Sequence, residues 1–206
     1  LPNNLELAAA DYPNRQKVHD IACKTSLKAE DTDLFVSYDT DSGSGKRMVV
    51  AKMTSTKLGA QKRKSSPWRI IFQTEEWNDL NRPNLSGRLL LLDSGDLLIG
   101  VSQNPWPADR SQKVDSSAGK VFLLHHALDW AAELFSLGHR NIAGLLESKT
   151  GRIFSTEHGL NGGDELNRLE PGQNYGWPLA THGAPYTSYS SEVGFSNGRH
   201  SNASFN

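Results

Sequence analysis

Short apolar or alternating runs, each bounded by glycine, proline or polar residues, recur along most of the chain. Such runs are typical of β-strands, because successive side chains of a strand face opposite sides of its sheet. The pattern predicts strands at 18–23, 33–39, 47–53, 68–74, 87–93, 96–102, 120–125, 151–157 and 164–170.

Glycine-containing turns connect several of these predicted strands. DSGSG at 41–45 and DSGD at 93–96 supply the glycines that tight hairpin turns need at positive φ. The run LLLLDSGDLLIGV is therefore interpreted as one strand, a tight turn and the next strand. Two further stretches, 41–51 and 102–119, are polar enough to form mobile loops.

One segment, HALDWAAELFSLG at 126–138, has a helical pattern. Leu128, Ala131, Ala132 and Phe135 would share one face of a helix. A one-turn helix followed by a strand is equally compatible with the segment, because histidines and a glycine bound it. Both interpretations stay open at this point.

Many short strands with loops of variable length favour a sandwich, a barrel or a propeller. The hairpins recur at roughly forty to fifty residues per unit, which is the size of one four-stranded propeller blade. On that measure the 206 residues form about four blades. We therefore predict a single all-β domain over residues 1–206.

Composition and charge are those of a soluble globular protein with a buried core: 36% of the residues are hydrophobic and 22% are charged. With 22 basic and 23 acidic residues, the chain has no net field that would attract nucleic acid or anionic lipid. The local basic cluster Lys57–Lys64 lies between two predicted strands. A solvated hairpin loop is therefore favoured there over a binding patch.

The chain contains one cysteine, Cys23, which excludes an intramolecular disulfide and a zinc site built from thiolates. Its setting in VHDIAC predicts a buried strand residue. No apolar run approaches the roughly eighteen residues that span a bilayer. The first residues also lack the basic-then-apolar pattern of a signal peptide, so we expect neither a membrane span nor an export signal in this sequence.

A polar, glycine-rich block at 138–178 contains GHRN, EHG, GGDELN and NYGWP. In this order and spacing, the four motifs resemble those of the glucose/sorbosone dehydrogenase family, the soluble quinoprotein aldose dehydrogenases. The resemblance extends over most of residues 16 to 190. It includes WRIIFQT at 68–74 and the segment NLSGRLLLLDSGDLLIGVSQ.

The resemblance implies a six-bladed β-propeller, of which this chain holds about four blades' worth, as a partial or truncated domain. Open propeller edges would then be covered by another chain or by self-association. The implied function is a sugar dehydrogenase that binds pyrroloquinoline quinone (PQQ) and calcium. Such an enzyme oxidises the anomeric carbon of a small-molecule sugar to a lactone and passes electrons to an acceptor that the sequence does not identify. The implied location is periplasmic or secreted.

Arg140 and Asn141 match the pair that contacts PQQ in the family. A guanidinium suits a quinone with carboxylates, since it donates two parallel hydrogen bonds. The alternative is an arginine paired with a nearby carboxylate. A third contact, a glutamine in the family, corresponds to Arg15 in strict alignment, and Gln16 follows it by one residue.

Calcium ligands are also implied by the resemblance. Gly159 and Leu160 match positions whose backbone carbonyls hold the ion next to the quinone, although the family usually has proline where Leu160 stands. Glu165 and Tyr175 match a second, structural calcium site, and Tyr186 matches a ligand of a neighbouring ion. The alternatives are a solvated carboxylate for Glu165 and a packed aromatic ring for Tyr175.

The largest departure from the family lies at Asn84, which occupies the position of the histidine that acts as general base. An amide donates and accepts hydrogen bonds but takes up no proton near neutral pH. His139 and His158 lie in the motifs and are interpreted as structural hydrogen-bonding residues. A second function therefore stays open: a catalytically inactive propeller that serves as a carbohydrate- or protein-binding module.

Overall fold

The computed structural model describes residues 17–25, 31–41, 45–58, 62–77, 86–103 and 108–184. Within these ranges the regular structure is β, apart from two short 3₁₀ segments at Ala108–Gln112 and His126–Leu128. The all-β prediction is therefore confirmed. No helix in the described part of the chain is long and apolar enough to cross a bilayer.

The chain divides into two compact units, Leu1–Leu80 and Asn81–Asn206. The described residues of the first unit form an antiparallel sheet in the order β1-β2-β3-β4, with β5 also paired to β3. Its strands are β1 (Lys17–Thr25), β2 (Thr32–Asp41), β3 (Lys46–Lys57), β4 (Arg63–Ser65) and β5 (Arg69–Gln73). A single domain over both units stays a prediction.

The two central strands carry the core of this first sheet. Val36 and Tyr38 of β2 pack with Val49 and Ala51 of β3, and Trp68 covers them. The basic cluster lies at the β3–β4 hairpin, as predicted, where Lys57 pairs with Arg63.

The predicted burial of Cys23 is wrong, because its side chain is exposed. Cys23 lies on β1, an edge strand that pairs only with β2 among the described strands. Val18 and Ile21 of the same strand are 53% and 61% exposed. The alternating pattern identified a strand here, but an edge strand lacks the second neighbour that would cover it.

In the described part of the second unit there are two sheets, one in the order β13-β9-β8-β7-β6 and one in the order β10-β11-β12. Neighbouring strands are antiparallel except for β13, which runs parallel to β9. The strands are β6 (Gly87–Leu91), β7 (Leu97–Val101), β8 (Lys120–His125), β9 (Ala131–Leu137), β10 (Ile142–Glu147), β11 (Ile153–Glu157), β12 (Glu165–Leu169) and β13 (Gln173–Asn174).

Each of the strands predicted from the sequence overlaps an observed one. The turn in LLLLDSGDLLIGV is also confirmed, with Gly95 at φ 96° between β6 and β7. In the ambiguous segment, one 3₁₀ turn precedes β9, so the short-helix alternative is right and a continuous helix is wrong. Asp129 and Trp130 have φ 52° and 68°, a left-handed conformation that ends a helix.

The strand β10 was not among the predicted strands, because Gly144 interrupts its apolar run. It nevertheless packs against the larger sheet. A Cβ atom added to Gly100 of β7 would lie 3.0 Å from Cγ2 of Ile142 in β10. The core between the two sheets consists of Leu98, Val121, Phe135, Ile142, Leu169 and Tyr175.

The predictions of mobile loops also need correction. The chain is already paired in β3 from Lys46 onward. In the other stretch, Ala108 and Ser111 of the first 3₁₀ segment are buried. The fully buried Lys120 holds this segment, since its Nζ donates to the carbonyl oxygens of Arg110, Ser111 and Ala118 at 3.0, 2.9 and 2.8 Å.

We expect Lys120→Met to lower the free energy of unfolding by about 2–4 kcal/mol, because the carbonyl oxygens would lose their buried donor. Urea denaturation measures the change. Lys113→Met is the matched control, because Lys113 is 54% exposed and pairs with Asp109 at the surface. Its loss should change stability by at most about 0.5 kcal/mol. Equal midpoints for the two variants would contradict the role of Lys120.

Candidate active site

The site is built where the chain leaves β9. Gly138 has φ +77°, and a Cβ atom there would lie 2.2 Å from Oδ1 of Asn174. Glycine is therefore required both by the backbone conformation and by the close approach of a neighbouring loop. This turn directs His139 into the interior and places Arg140 and Asn141 beside the loop that follows β11.

His139 and Glu157 form a buried hydrogen-bonded pair. His139 is fully buried and Glu157 is 5% exposed, with 2.7 Å between Nδ1 and Oε1. Nε2 of the same ring lies 2.8 Å from Oγ of Ser136. His139 is therefore the structural hydrogen-bonding residue that the sequence predicted.

Glu157 accepts further hydrogen bonds from Ser155, Asn167 and the backbone N–H of Arg140, at 3.0, 3.1 and 3.3 Å. Burial alone would raise the pKa of Glu157. The charge of His139 and these side-chain hydrogen bonds outweigh burial and hold its pKa below the usual value. The carboxylate is therefore ionised in the folded protein and serves as a fixed acceptor under the site.

Tyr175 stacks on the His139 ring, with 4.7 Å between the ring centroids and 23° between the planes. Its hydroxyl donates to the carbonyl oxygen of Arg168 at 2.7 Å and accepts the N–H of Glu170 at 2.9 Å. Burial raises the pKa of Tyr175, and the charges of Glu170 and Glu157 raise it further. The packed-ring alternative is thus present in the structure, and it leaves the backbone carbonyl as the group that could bind an ion.

Arg140 is held from two sides. Its Nη1 donates to the carbonyl oxygen of His158 at 2.9 Å, and its guanidinium carbon lies 5.4 Å from the Trp177 ring centroid. These contacts fix the direction of the side chain, and none of the carboxylates among the described residues pairs with it, which was the alternative considered from the sequence. Asn141 accepts the hydroxyl of Ser102 at 2.7 Å on its side-chain oxygen.

The loop after β11 contains the predicted calcium ligands Gly159 and Leu160. The Gly159 N–H donates to Oδ1 of Asp164 at 2.9 Å, which closes the loop. Leu160 is buried against Ala108 and Trp177. Glu165 begins β12 and accepts the Asn167 amide at 3.0 Å.

A small cavity, with room for about one water molecule, brings four of the predicted residues together. They are Arg140 and Gly159 with Glu165 and Tyr175; Glu157, His158 and Trp177 also line it. Asn141 and Leu160 are adjacent in sequence to lining residues but do not line the cavity. Gln16, Asn84 and Tyr186 lie outside the described residues, as does Arg15.

Sequence reasoning missed Glu157, Ser102 and Trp177. Glu157 is part of the motif EHG, but its burial depends on His139, which lies 18 residues away. Ser102 contacts Asn141, and Trp177 contacts Arg140. Because each contact joins segments that are distant in the sequence, local spacing does not reveal it. The order of the motifs was the only signal that placed these segments in one site.

Comparison with known proteins identifies related chains. The family model described as Glucose / Sorbosone dehydrogenase matches residues 12–204. Aldose sugar dehydrogenase YliI of Escherichia coli is 31% identical over 140 residues, which are 61% of this chain and 37% of the relative.

Solved structures give the fold. A crystal structure of glucose dehydrogenase is 28% identical with a TM-score of 0.66, covering 82% of this chain and 51% of that chain. The PQQ-bound aldose sugar dehydrogenase of Streptomyces coelicolor is 23% identical with a TM-score of 0.59, covering 89% and 52%, and shows the fold alone. The predicted propeller type of quinoprotein glucose dehydrogenases is confirmed. The chain spans between about a third and a half of the length of these relatives.

We expect stability to depend on pH through Glu157. Its pKa is lower in the folded state than the usual 4.5, so its contribution is complete above that pH and is lost as the pH falls below it. Glu157→Gln should lower the free energy of unfolding at pH 7 by about 3 kcal/mol. It should also make this free energy depend less on pH in the acidic range. Urea denaturation from pH 7 to pH 3 in a chelator, without bound cations, measures both effects.

Glu133→Gln serves as the control, because Glu133 is 62% exposed and pairs with His125 at the surface. Its effect at pH 7 should stay within about 1 kcal/mol. If the free energy of unfolding of Glu157→Gln fell with decreasing pH as steeply as that of the unaltered chain, the role of Glu157 would be contradicted.

Proposed function

Because the chain belongs to the glucose / sorbosone dehydrogenase family, we propose that it is a PQQ- and calcium-binding protein of the aldose sugar dehydrogenase type. The observation that carries the proposal is the cavity that unites Arg140, Gly159, Glu165 and Tyr175. These residues come from separate motifs, and the fold places them around one space. The proposed substrate is a small-molecule sugar.

Arg140 and Asn141 fit the quinone. Arg140 uses one nitrogen on the His158 carbonyl, which leaves the rest of its planar fork for a carboxylate or a carbonyl oxygen. Asn141 uses its side-chain oxygen on Ser102, so its amide N–H groups are the donors it can offer. When bound, PQQ would accept the hydride from the anomeric carbon of the sugar. We propose Gln16 as a third contact.

The loop at 159–163 fits a hard cation. A Cβ atom added to Gly159 would lie 2.4 Å from the carbonyl oxygens of Gly162 and Gly163, so the loop gathers backbone oxygens around a glycine. Backbone carbonyls and carboxylates are the ligands that calcium prefers. Among the described residues, no group of three His, Cys, Asp or Glu side chains could hold a metal, and the shell proposed here draws on backbone carbonyl oxygens.

We therefore propose the carbonyl oxygens of Gly159 and Leu160 as ligands of the calcium ion beside the quinone. The family usually has proline where this chain has Leu160, and this difference in side chain leaves the Leu160 carbonyl in place. Glu165, through its carboxylate, and Tyr175, through its carbonyl, are proposed for a second, structural ion. Tyr186 is proposed for a neighbouring one.

Proton transfer is where this chain differs. Oxidation at the anomeric carbon needs a base for the hydroxyl proton, and Asn84 can hydrogen-bond this hydroxyl but cannot take its proton. The proposal is thus a quinone- and calcium-binding protein with slow sugar oxidation. The same substitution favours the second candidate, an inactive carbohydrate- or protein-binding module. A periplasmic or secreted location completes the proposal.

We expect the purified chain, reconstituted with PQQ and Ca²⁺, to reduce a dye in the presence of aldose sugars. Asn84→His should raise this rate about 10²–10⁴-fold, because it supplies the missing base. Asn84→Gln is the matched control and should leave the rate unchanged, since it remains an amide. If the chain binds quinone but neither it nor Asn84→His turns over, the binding module is the correct function. Absence of quinone binding would refute the proposal itself.

A further inference from the structure

The two residues that follow β7, Ser102 and Gln103, contact the pair proposed to bind the quinone. Ser102 donates through its hydroxyl to the side chain of Asn141 at 2.7 Å. Gln103 donates its backbone N–H to the carbonyl oxygen of Arg140 at 2.7 Å. Ser102 and Gln103, which follow the central strand β7, thus each contact one residue of the pair Arg140–Asn141.

Ser102 decides which way the Asn141 amide points. Ser102 is fully buried, and its hydroxyl also contacts the hydroxyl of Ser86. Three contacts compete for the two hydroxyl protons, because Ser86 also lies 2.8 Å from the carbonyl oxygen of Ile142, which can only accept. When the Ser102 proton goes to Oδ1 of Asn141, the amide oxygen faces Ser102. This arrangement turns the amide N–H₂ of Asn141 away from Ser102.

Gln103 acts on Arg140 through Trp177. The Trp177 indole N–H donates to Oε1 of Gln103 at 3.1 Å, and the face of the same ring lies 5.4 Å from the Arg140 guanidinium carbon. The backbone of Gln103 holds the backbone of Arg140, while its side chain holds the ring on which the guanidinium rests. Both ends of Arg140 are thereby fixed by one residue.

We propose that Ser102 and Gln103 are positioning residues that set the donor directions of Asn141 and Arg140 before any ligand binds. Neither residue lines the cavity that holds Arg140. Their effect on a ligand is therefore indirect. Prefixed donors lose less conformational entropy on binding a rigid planar quinone than free side chains would. The effect on quinone affinity rests on the proposed function; the effect on the two side chains does not.

The Ser102 arm compares Ser102→Ala with Ser102→Thr, which keeps the hydroxyl. Quinone affinity is measured by titrating PQQ into each protein with Ca²⁺ and following the quenching of tryptophan fluorescence. Loss of one neutral hydrogen bond should weaken PQQ binding about fivefold to tenfold in Ser102→Ala, and Ser102→Thr should restore it. The rise in melting temperature caused by Ca²⁺ alone should stay unchanged, because the proposed calcium ligands are untouched.

The second readout uses the free protein. In ¹H–¹⁵N spectra, the Asn141 side-chain amide signals should shift in Ser102→Ala, and the Trp177 indole signal should shift in Gln103→Leu. Asn141→Asp and Trp177→Phe assign the signals. Ser37→Ala is the control: it removes a hydroxyl that is also fully buried, in the first unit, and should move neither signal.

The outcomes separate the two proposals. If the unaltered chain binds PQQ and Ser102→Ala binds it equally well, the positioning role is overturned while the proposed function stands. If the unaltered chain binds no PQQ, the proposed function fails, and the spectra alone decide whether the residues position the pair. Unshifted Asn141 and Trp177 signals in the variants would refute the inference in either case.

Discussion

The buried pair of His139 and Glu157 is the interaction on which the rest of the site depends. An isolated charge in an apolar interior is costly, so each partner must be matched by hydrogen bonds. Ser136, Ser155 and Asn167 supply them from β9, β11 and β12. Satisfying both members of this buried pair therefore links three strands from the two sheets of the second unit.

The same carboxylate explains the shape of the loops around it. Its second oxygen accepts the Arg140 N–H, and the stacked Tyr175 ring covers His139. Arg140 follows the buried histidine directly, so the pair places its side chain at the cavity. Gly159 lies two residues after Glu157 and begins the loop whose carbonyls are proposed to bind calcium. The buried pair of His139 and Glu157 thus positions neighbouring groups that are proposed to bind a ligand, although the pair itself is not proposed to bind it.

The sequence predicted the strands well, because alternation and glycine turns are local properties. It predicted less well those features that depend on contacts with neighbouring segments. Cys23 lies in an apolar run but on an edge strand, and Gly144 interrupts the apolar run of β10. In the site, the resemblance selected Arg140, Gly159, Glu165 and Tyr175, and the fold brings them to one cavity. The roles of Glu157, Ser102 and Trp177 arise from contacts between distant segments, which spacing alone does not encode.

Much of what identifies the family is also what the fold needs. His139, Glu157, Gly138 and Tyr175 all belong to the motifs, and each has a packing or hydrogen-bonding role that stands without any ligand. Their presence is therefore explained by folding alone and is weak evidence for turnover. A general base is different, because a proton acceptor at position 84 would serve the reaction and not the core described here. Activity should thus be judged from residue 84, and the motif block should be taken as evidence for the architecture that could hold a quinone.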